Sequence, residues 1–163
     1  VLEESSKGLI LIANKWDLVA ARDTKKFTNY IYSELPFAAW APIQFISAKT
    51  GEKVKKIMDL ILQIEEARQF EISDSAANTF MMRMVKIHRP SRGKGVRHPR
   101  IRGFKQTGTN PPRFEALIGS KEDLHSSYIH FIENRLREKF KILGTPIAIR
   151  VEKGKNVHGS HNK

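Results

Sequence analysis

Few folds accommodate the run Gly8–Ala13, "GLILIA", which empties at once into the polar Asn14-Lys15-Trp16-Asp17. Consecutive apolar residues without alternation suit a strand covered on both faces, at the centre of a parallel sheet. The segments that follow continue that theme. In "DTKKFTNYIYSELPF", Phe27, Tyr30, Ile31 and Leu35 recur at helical spacing, Asp23 or Thr24 can cap the start, and Pro36 bars continuation. "PIQFISAK" reads as a second strand. "GEKVKKIMDLILQIEEARQF" reads as a second helix, with Val54, Ile57, Met58, Ile61, Leu62 and Ile64 as its apolar stripe. Strand, helix, strand, helix is half of a doubly wound α/β domain. In such sheets ligands sit at the carboxyl ends of the strands. Asn14–Asp17 and Ser47–Lys49 occupy those ends.

The residue types at these two ends match one purine. Guanine differs from adenine by an N1–H and an exocyclic amine on the same edge. An ionised carboxylate only accepts hydrogen bonds, so Asp17 can take both donors and has nothing to offer adenine. Asn14 supplies an amide for N7 and for tying the two loops together, and the stem of Lys15 can lie along the purine face. At the other end, the Ala48 N–H can donate to O6, with Ser47 bracing the loop and Lys49 covering the second face. The pair resembles the N-K-x-D and S-A-K elements of guanine-nucleotide-binding proteins. The expected base-binding set is therefore Asn14, Lys15, Trp16, Asp17, Ser47, Ala48 and Lys49.

No phosphate grip accompanies this pocket. G-x-x-x-x-G-K-[ST] is absent: Gly93-Lys94 is followed by Gly95, and Gly154-Lys155 by Asn156. D-x-x-G is absent too. The sequence offers no nest for β- and γ-phosphates, no hydroxyl ligand for Mg²⁺ and nothing to place a water. No catalytic residue is expected here, and the chain alone is expected not to hydrolyse GTP or to hold a nucleotide tightly. The opening "VLEESSKG" reads as the tail of a helix belonging to something longer.

Charge separates two units. The net +12 of the 163 residues is unevenly spread: Val1–Phe70 holds 10 basic and 9 acidic residues, and the remainder 19 and 8. Only the second part is built to face a polyanion. There is no cysteine, which suits a reducing, cytoplasmic setting. No apolar run approaches the length of a bilayer, so no membrane partner is expected.

The second unit begins with "ISDSAANTFMMRMVKIHRP", a helix capped by Ser73 or Ser75, with Ala77, Phe80, Met81, Met84, Val85 and His88 on one face. "RIRGFKQ" and "RFEALIG" follow as strands joined by the turn "TGTNPP", with Phe114, Ala116 and Ile118 pointing inward. "SSYIHFIENRLREKFKILG" is a helix whose Tyr128, Phe131, Ile132, Arg135, Leu136 and Phe140 line one side, and Glu133 with Arg137 forms an i,i+4 pair. Gly144 and Pro146 close it. "PIAIRV" is the last strand, with Ile147, Ile149 and Val151 facing one way. The order α-β-β-α-β defines an α+β domain with a three-stranded sheet.

Between Lys86 and Lys105 stand eight cations and no acid: Lys86, Arg89, Arg92, Lys94, Arg97, Arg100, Arg102 and Lys105. Arginine holds phosphate with two parallel hydrogen bonds. Phe104 is the one aromatic ring there besides the histidines, so stacking of single-stranded bases is not the expected mode. Backbone or shape recognition of RNA is. The tail 155–163, with His158 and His161 and no third ligand nearby, is expected to be basic and disordered, without a metal site.

"NKWD" with "SAK", then "NPPRF", "YIHFIENRLREKF" and "GTPIAIRV", resemble in that order the C-terminal part of the Der (EngA) family. These are bacterial GTPases with two tandem G domains and a terminal KH-like domain. The resemblance implies the distal half of the second G domain at residues 1–70, a partial P-loop GTPase-type doubly wound sheet, and a KH-like domain at 71–154. It implies GTP or GDP with Mg²⁺ in the intact parent and a role in assembly of the large ribosomal subunit. The implied partners are rRNA and the upstream G domains. No two glycines stand three apart, so the G-x-x-G loop by which ordinary KH folds clamp RNA is missing. The basic segment is the expected substitute. A rival reading makes the second unit a docking module that transmits nucleotide state. The Era family, which carries its own KH domain, is the neighbouring alternative, with the missing G-x-x-G and the presence of "NPPRF" against it.

Overall fold

The computed structural model describes residues 6–91 and 98–154. They divide into two units: residues 6–70 with 140–146, and residues 71–91 and 98–139 with 147–154. The sequence puts 140–146 in the second unit; the structure groups this segment with the first. The tail 155–163 and Arg92, Lys94 and Arg97 of the basic run lie outside the described residues.

In the first unit β1 (Leu11–Ala13) and β2 (Ile43–Phe45) pair in parallel, Leu11 opposite Ile43 and Ala13 opposite Phe45. Between them runs α1 (Thr24–Glu34), whose first turn is capped by the Asp23 carboxylate accepting from the Lys26 N–H at 3.0 Å. The Tyr32 hydroxyl donates to the Ala41 carbonyl at 2.8 Å and ties α1 to the chain entering β2. A turn with Gly51 and Lys53 at positive φ leads into α2 (Lys56–Arg68). The segment 140–146 joins this unit through the Gly144 carbonyl, which accepts from the Leu9 N–H at 2.8 Å.

Two expectations fail in this unit for one reason. β1 is not covered on both faces: Ile12 is 48% exposed. Of the stripe expected on the second helix, Ile64 is buried, while Met58, Ile61 and Leu62 stay exposed and Val54 sits in the turn before α2. A sheet of two strands lacks the layer that would cover them. Instead an apolar groove runs beside Leu9, Ile10 and Ile12 of the β1 region and Ile57, Ile61 and Ile64 of α2.

The second unit closes its core. α3 (Asp74–Ile87) starts on a Ser73 cap and buries Ala77, Phe80, Met81 and Met84. Val85 is half-buried and His88 exposed, its ring stacked on Tyr128 at 5.9 Å. β3 (Gly103–Gly108) and β4 (Arg113–Ile118) form an antiparallel pair, irregular between Gln106 and Gly108, and turn through a cis Asn110–Pro111 bond. β5 (Ala148–Lys153) lies parallel on the far side of β4, giving the order β3-β4-β5. Period-two alternation holds: Phe114, Ala116 and Ile118 are at most 1% exposed, and the Phe104 and Phe114 rings stack at 5.2 Å. α4 (Ser126–Phe140) adds Tyr128, Ile132 and Leu136. Burial pushes the Tyr128 phenol up to about 12, and its hydroxyl donates to the His88 carbonyl at 2.9 Å. Burial likewise lowers the Arg137 guanidinium to about 10, against the opposing charge of Glu133 one turn back. The element order is the expected α-β-β-α-β.

Candidate functional site

The carboxyl ends of β1 and β2 lie side by side because their strands are parallel and in register. The Ile46 N–H donates to Ala13 O and the Trp16 N–H to Ile46 O, both at 2.9 Å, so pairing continues past the strands into the two loops. Across this junction the Asn14 amide oxygen accepts from the Lys15 N–H at 2.7 Å and from the Ala48 N–H at 3.0 Å. Its loop-tying role is thus met, and the amide NH₂ is the group left for N7. The Ala48 N–H, expected to serve O6 of the base, is engaged by Asn14, so an incoming O6 competes with that contact. A second tie, Arg22 to Glu52 at 3.1 Å, joins the same two loops further out.

Asp17 follows on a 3-10 turn, Trp16–Leu18, entered through Lys15 in the left-handed region at φ 63°. The Ser47 hydroxyl hydrogen-bonds to the Asp17 carboxylate and holds it below the usual carboxylate range. Partial burial acts the other way, while the residue's own backbone N–H, Lys49 and Arg22 reinforce the shift. Ser47 itself is fully buried and its oxygen also accepts from the Thr50 N–H at 3.2 Å, so the hydroxyl has a fixed place. As an ordinary aspartate would be at neutral pH, the group is ionised and acceptor-only, and it stands beside an exposed Lys15 and Lys49.

Trp16 departs from the expected set. It is 3% exposed, with Phe27 edge-on at 5.2 Å and Phe45 at 4.5 Å. Its indole holds the loop to the core of the first unit rather than lining a cleft. An aromatic residue has to go somewhere apolar, and Phe27 and Phe45 provide the place.

The basic run is resolved into members with different surroundings. Lys86, Arg89, Arg100 and Arg102 are exposed. Lys105 is also exposed but ion-paired with Glu115 across the β3–β4 pair at 3.3 Å. Arg100 and Arg102 precede β3, at the end of the sheet where β4 and β5 finish. Lys153 reaches that end from β5, opposite Ile118, where it is ion-paired with Asp123 at 3.2 Å, and an Arg102 guanidinium nitrogen lies 3.6 Å from where a side chain at Gly154 would begin. Lys153 escaped the sequence reading because only strand register brings it there. Among the described residues no cluster of His, Cys, Asp or Glu is arranged to hold a metal ion.

A parallel strand pair ending in a carboxylate and an amide, followed by an α-β-β-α-β unit, defines a partial G domain joined to a KH-like domain. Residues 71–152 match the family of KH-domain-like regions at the C-terminus of EngA bacterial GTPase enzymes. The chain is 36% identical to the GTPase Der of Caldanaerobacter subterraneus subsp. tengcongensis over 92% of its length, and 38% identical to that of Lactococcus lactis subsp. cremoris over 93%. The GTPase Der of Desulfitobacterium hafniense is 36% identical over 91%. This chain belongs to the GTPase Der (EngA) family. It spans about a third of the length of these relatives, 34%, 35% and 34% respectively.

Proposed function

We propose that this chain is the guanine-selecting half of a G domain, joined to a KH-like domain that holds rRNA of the large ribosomal subunit by its phosphates. The observation that carries the nucleotide half is the Asn14 amide spanning both strand ends beside the Asp17 carboxylate, with Ser47 buried behind the loop. Asn14, Lys15, Asp17, Ser47, Ala48 and Lys49 read the base, and Trp16 keeps the loop in place. The intact protein binds GTP or GDP with Mg²⁺ and hydrolyses GTP in the cytoplasm. The donor set here fits the base, and neither the metal nor any hydrolytic step is assigned to residues of this chain. Upstream G-domain sequence of the same protein occupies the apolar groove between β1 and α2. The uncovered Ile12 and Ile61 support that reading. The chain on its own does not turn over GTP.

In the full-length protein, Asp17→Asn replaces an acceptor-only group by one that also donates. GTP affinity is expected to fall and affinity for xanthosine triphosphate, which carries an oxygen in place of the amine, to rise. Titration with the two nucleotides measures both, and an unchanged preference for GTP would remove the pocket assignment.

A second reading, a docking module transmitting nucleotide state, draws on the neutralised pairs Lys105–Glu115 and Arg150–Glu152 and on the exposed Leu117. Docking of that kind responds weakly to salt, whereas phosphate binding weakens steeply.

A further inference from the structure

The strip Arg100-Ile101-Arg102 is held at three points, none of which uses its charge. Ile101 is 6% exposed and anchors into the core, while Arg100 and Arg102 on either side of it are exposed. The Arg102 N–H donates to the Leu117 carbonyl at 2.7 Å. The Arg100 N–H donates to Glu122 Oε2 at 2.7 Å, and the same oxygen accepts from the Gly119 N–H at 3.0 Å. The Glu122 N–H donates back to the Gly119 carbonyl at 3.1 Å. Gly119 leaves just enough room: a Cβ there would stand 2.7 Å from the Glu122 carboxyl carbon and 2.9 Å from each of its oxygens. An acid beside a cationic strip lowers the potential that attracts polyanions. Its two charge-assisted bonds to backbone N–H groups are what that position gains.

We propose that Glu122 is a positioning residue of the RNA-binding face. Its carboxylate, closed over Gly119, fixes the backbone of Arg100–Arg102 where it enters β3, so that both guanidiniums meet phosphates of one RNA strand without first being ordered. Fixing them in advance spares the entropy that binding would otherwise spend on the backbone. The inference rests on the phosphate-binding reading above.

The decisive feature of the test is a sign. Binding of a fluorescein-labelled RNA hairpin to the whole chain is followed by anisotropy across a salt series. Arg100→Ala with Arg102→Ala should weaken binding and flatten the salt dependence by about two phosphate contacts. Glu122→Ala deletes a negative charge, so simple electrostatics tightens binding. Positioning requires the reverse, a loss of roughly three- to tenfold and a slope approaching that of the double variant. Glu122→Gln keeps an acceptor oxygen and should bind at least as well as the parent. Gly119→Ala alters no charge and meets only the end of a flexible side chain, so it folds and displaces the carboxylate. It should lose affinity as Glu122→Ala does, and it decides the matter if circular dichroism shows Glu122→Ala unfolded. In the double-arginine background Glu122→Ala should no longer weaken binding, since only the charge effect is left. Unchanged or tighter binding by Glu122→Ala or Gly119→Ala overturns the proposal and leaves RNA binding standing. A parent chain without salt-dependent RNA binding removes the phosphate reading and this proposal with it.

Discussion

The two units of this chain treat apolar side chains in opposite ways. Among the described residues, eight large apolar side chains stand exposed in the first unit: Ile12, Leu18, Tyr30, Phe37, Val54, Met58, Ile61 and Leu62. The second unit exposes two, Ile87 and Leu117. Both units carry apolar strands and amphipathic helices, so the presence of such elements does not separate them in this respect. Layers do. Three strands and two helices in the second unit supply a closed core centred on Phe114, Ile118, Ile132 and Leu136. Two strands in the first cannot cover α2 and the edge of β1, although the loops at their carboxyl ends are tied together through Asn14 and Ala48. Local geometry at a strand end thus needs only its immediate neighbours, whereas burial of a helix face needs a whole layer.

The contrast can be broken most forcefully at Phe114. Phe114→Ala empties the tightest part of the second unit and should cost about 3–5 kcal/mol of that unit's stability. Denaturant unfolding with probes in each unit measures it; an equal loss in the first unit would mean the two do not behave separately. Gly144→Ala tests the first unit at its own closure. The backbone there is left-handed at φ +60°, and a Cβ would lie 2.5 Å from Ile64. About 1–2 kcal/mol is expected from the backbone alone, seen as faster amide exchange at Leu9, which donates to the Gly144 carbonyl. The smallest effect should come from Met58→Gln with Leu62→Gln. These side chains are 61% and 67% exposed, so stability should move by no more than about 0.5 kcal/mol. Binding of a hydrophobic dye should fall instead. A large destabilisation would show that the exposed stripe packs in solution.

Much of this was legible in the sequence, and the failures are instructive. Period-3.6 stripes located α3 and α4, and alternation in "RFEALI" identified the inward Phe114, Ala116 and Ile118, because each pattern is satisfied within its own unit. The same logic applied to "GLILIA" and to Met58, Ile61 and Leu62 predicted burial that the structure does not provide. Periodicity reports which side would be covered, not whether the covering layer is there. At the candidate site, a tie between the two loops through Asn14 followed from residue type and strand ends, whereas its partner, the Ala48 N–H, was expected to serve the base instead. The burial of Trp16 did not follow, since no spacing rule links it to Phe27 and Phe45. Likewise the clasp of Glu122 on Arg100 joins residues from separate loops, and a linear count of charge saw only the cations.

The seating of Trp16 carries a consequence for how a base would be received. With its indole wedged between two rings, the loop from Asn14 to Asp17 is pinned by contacts inside the first unit. In the proposed pocket, discrimination between purines would then fall to the groups around that pin, where the Asn14–Ala48 contact is the one an incoming base has to open.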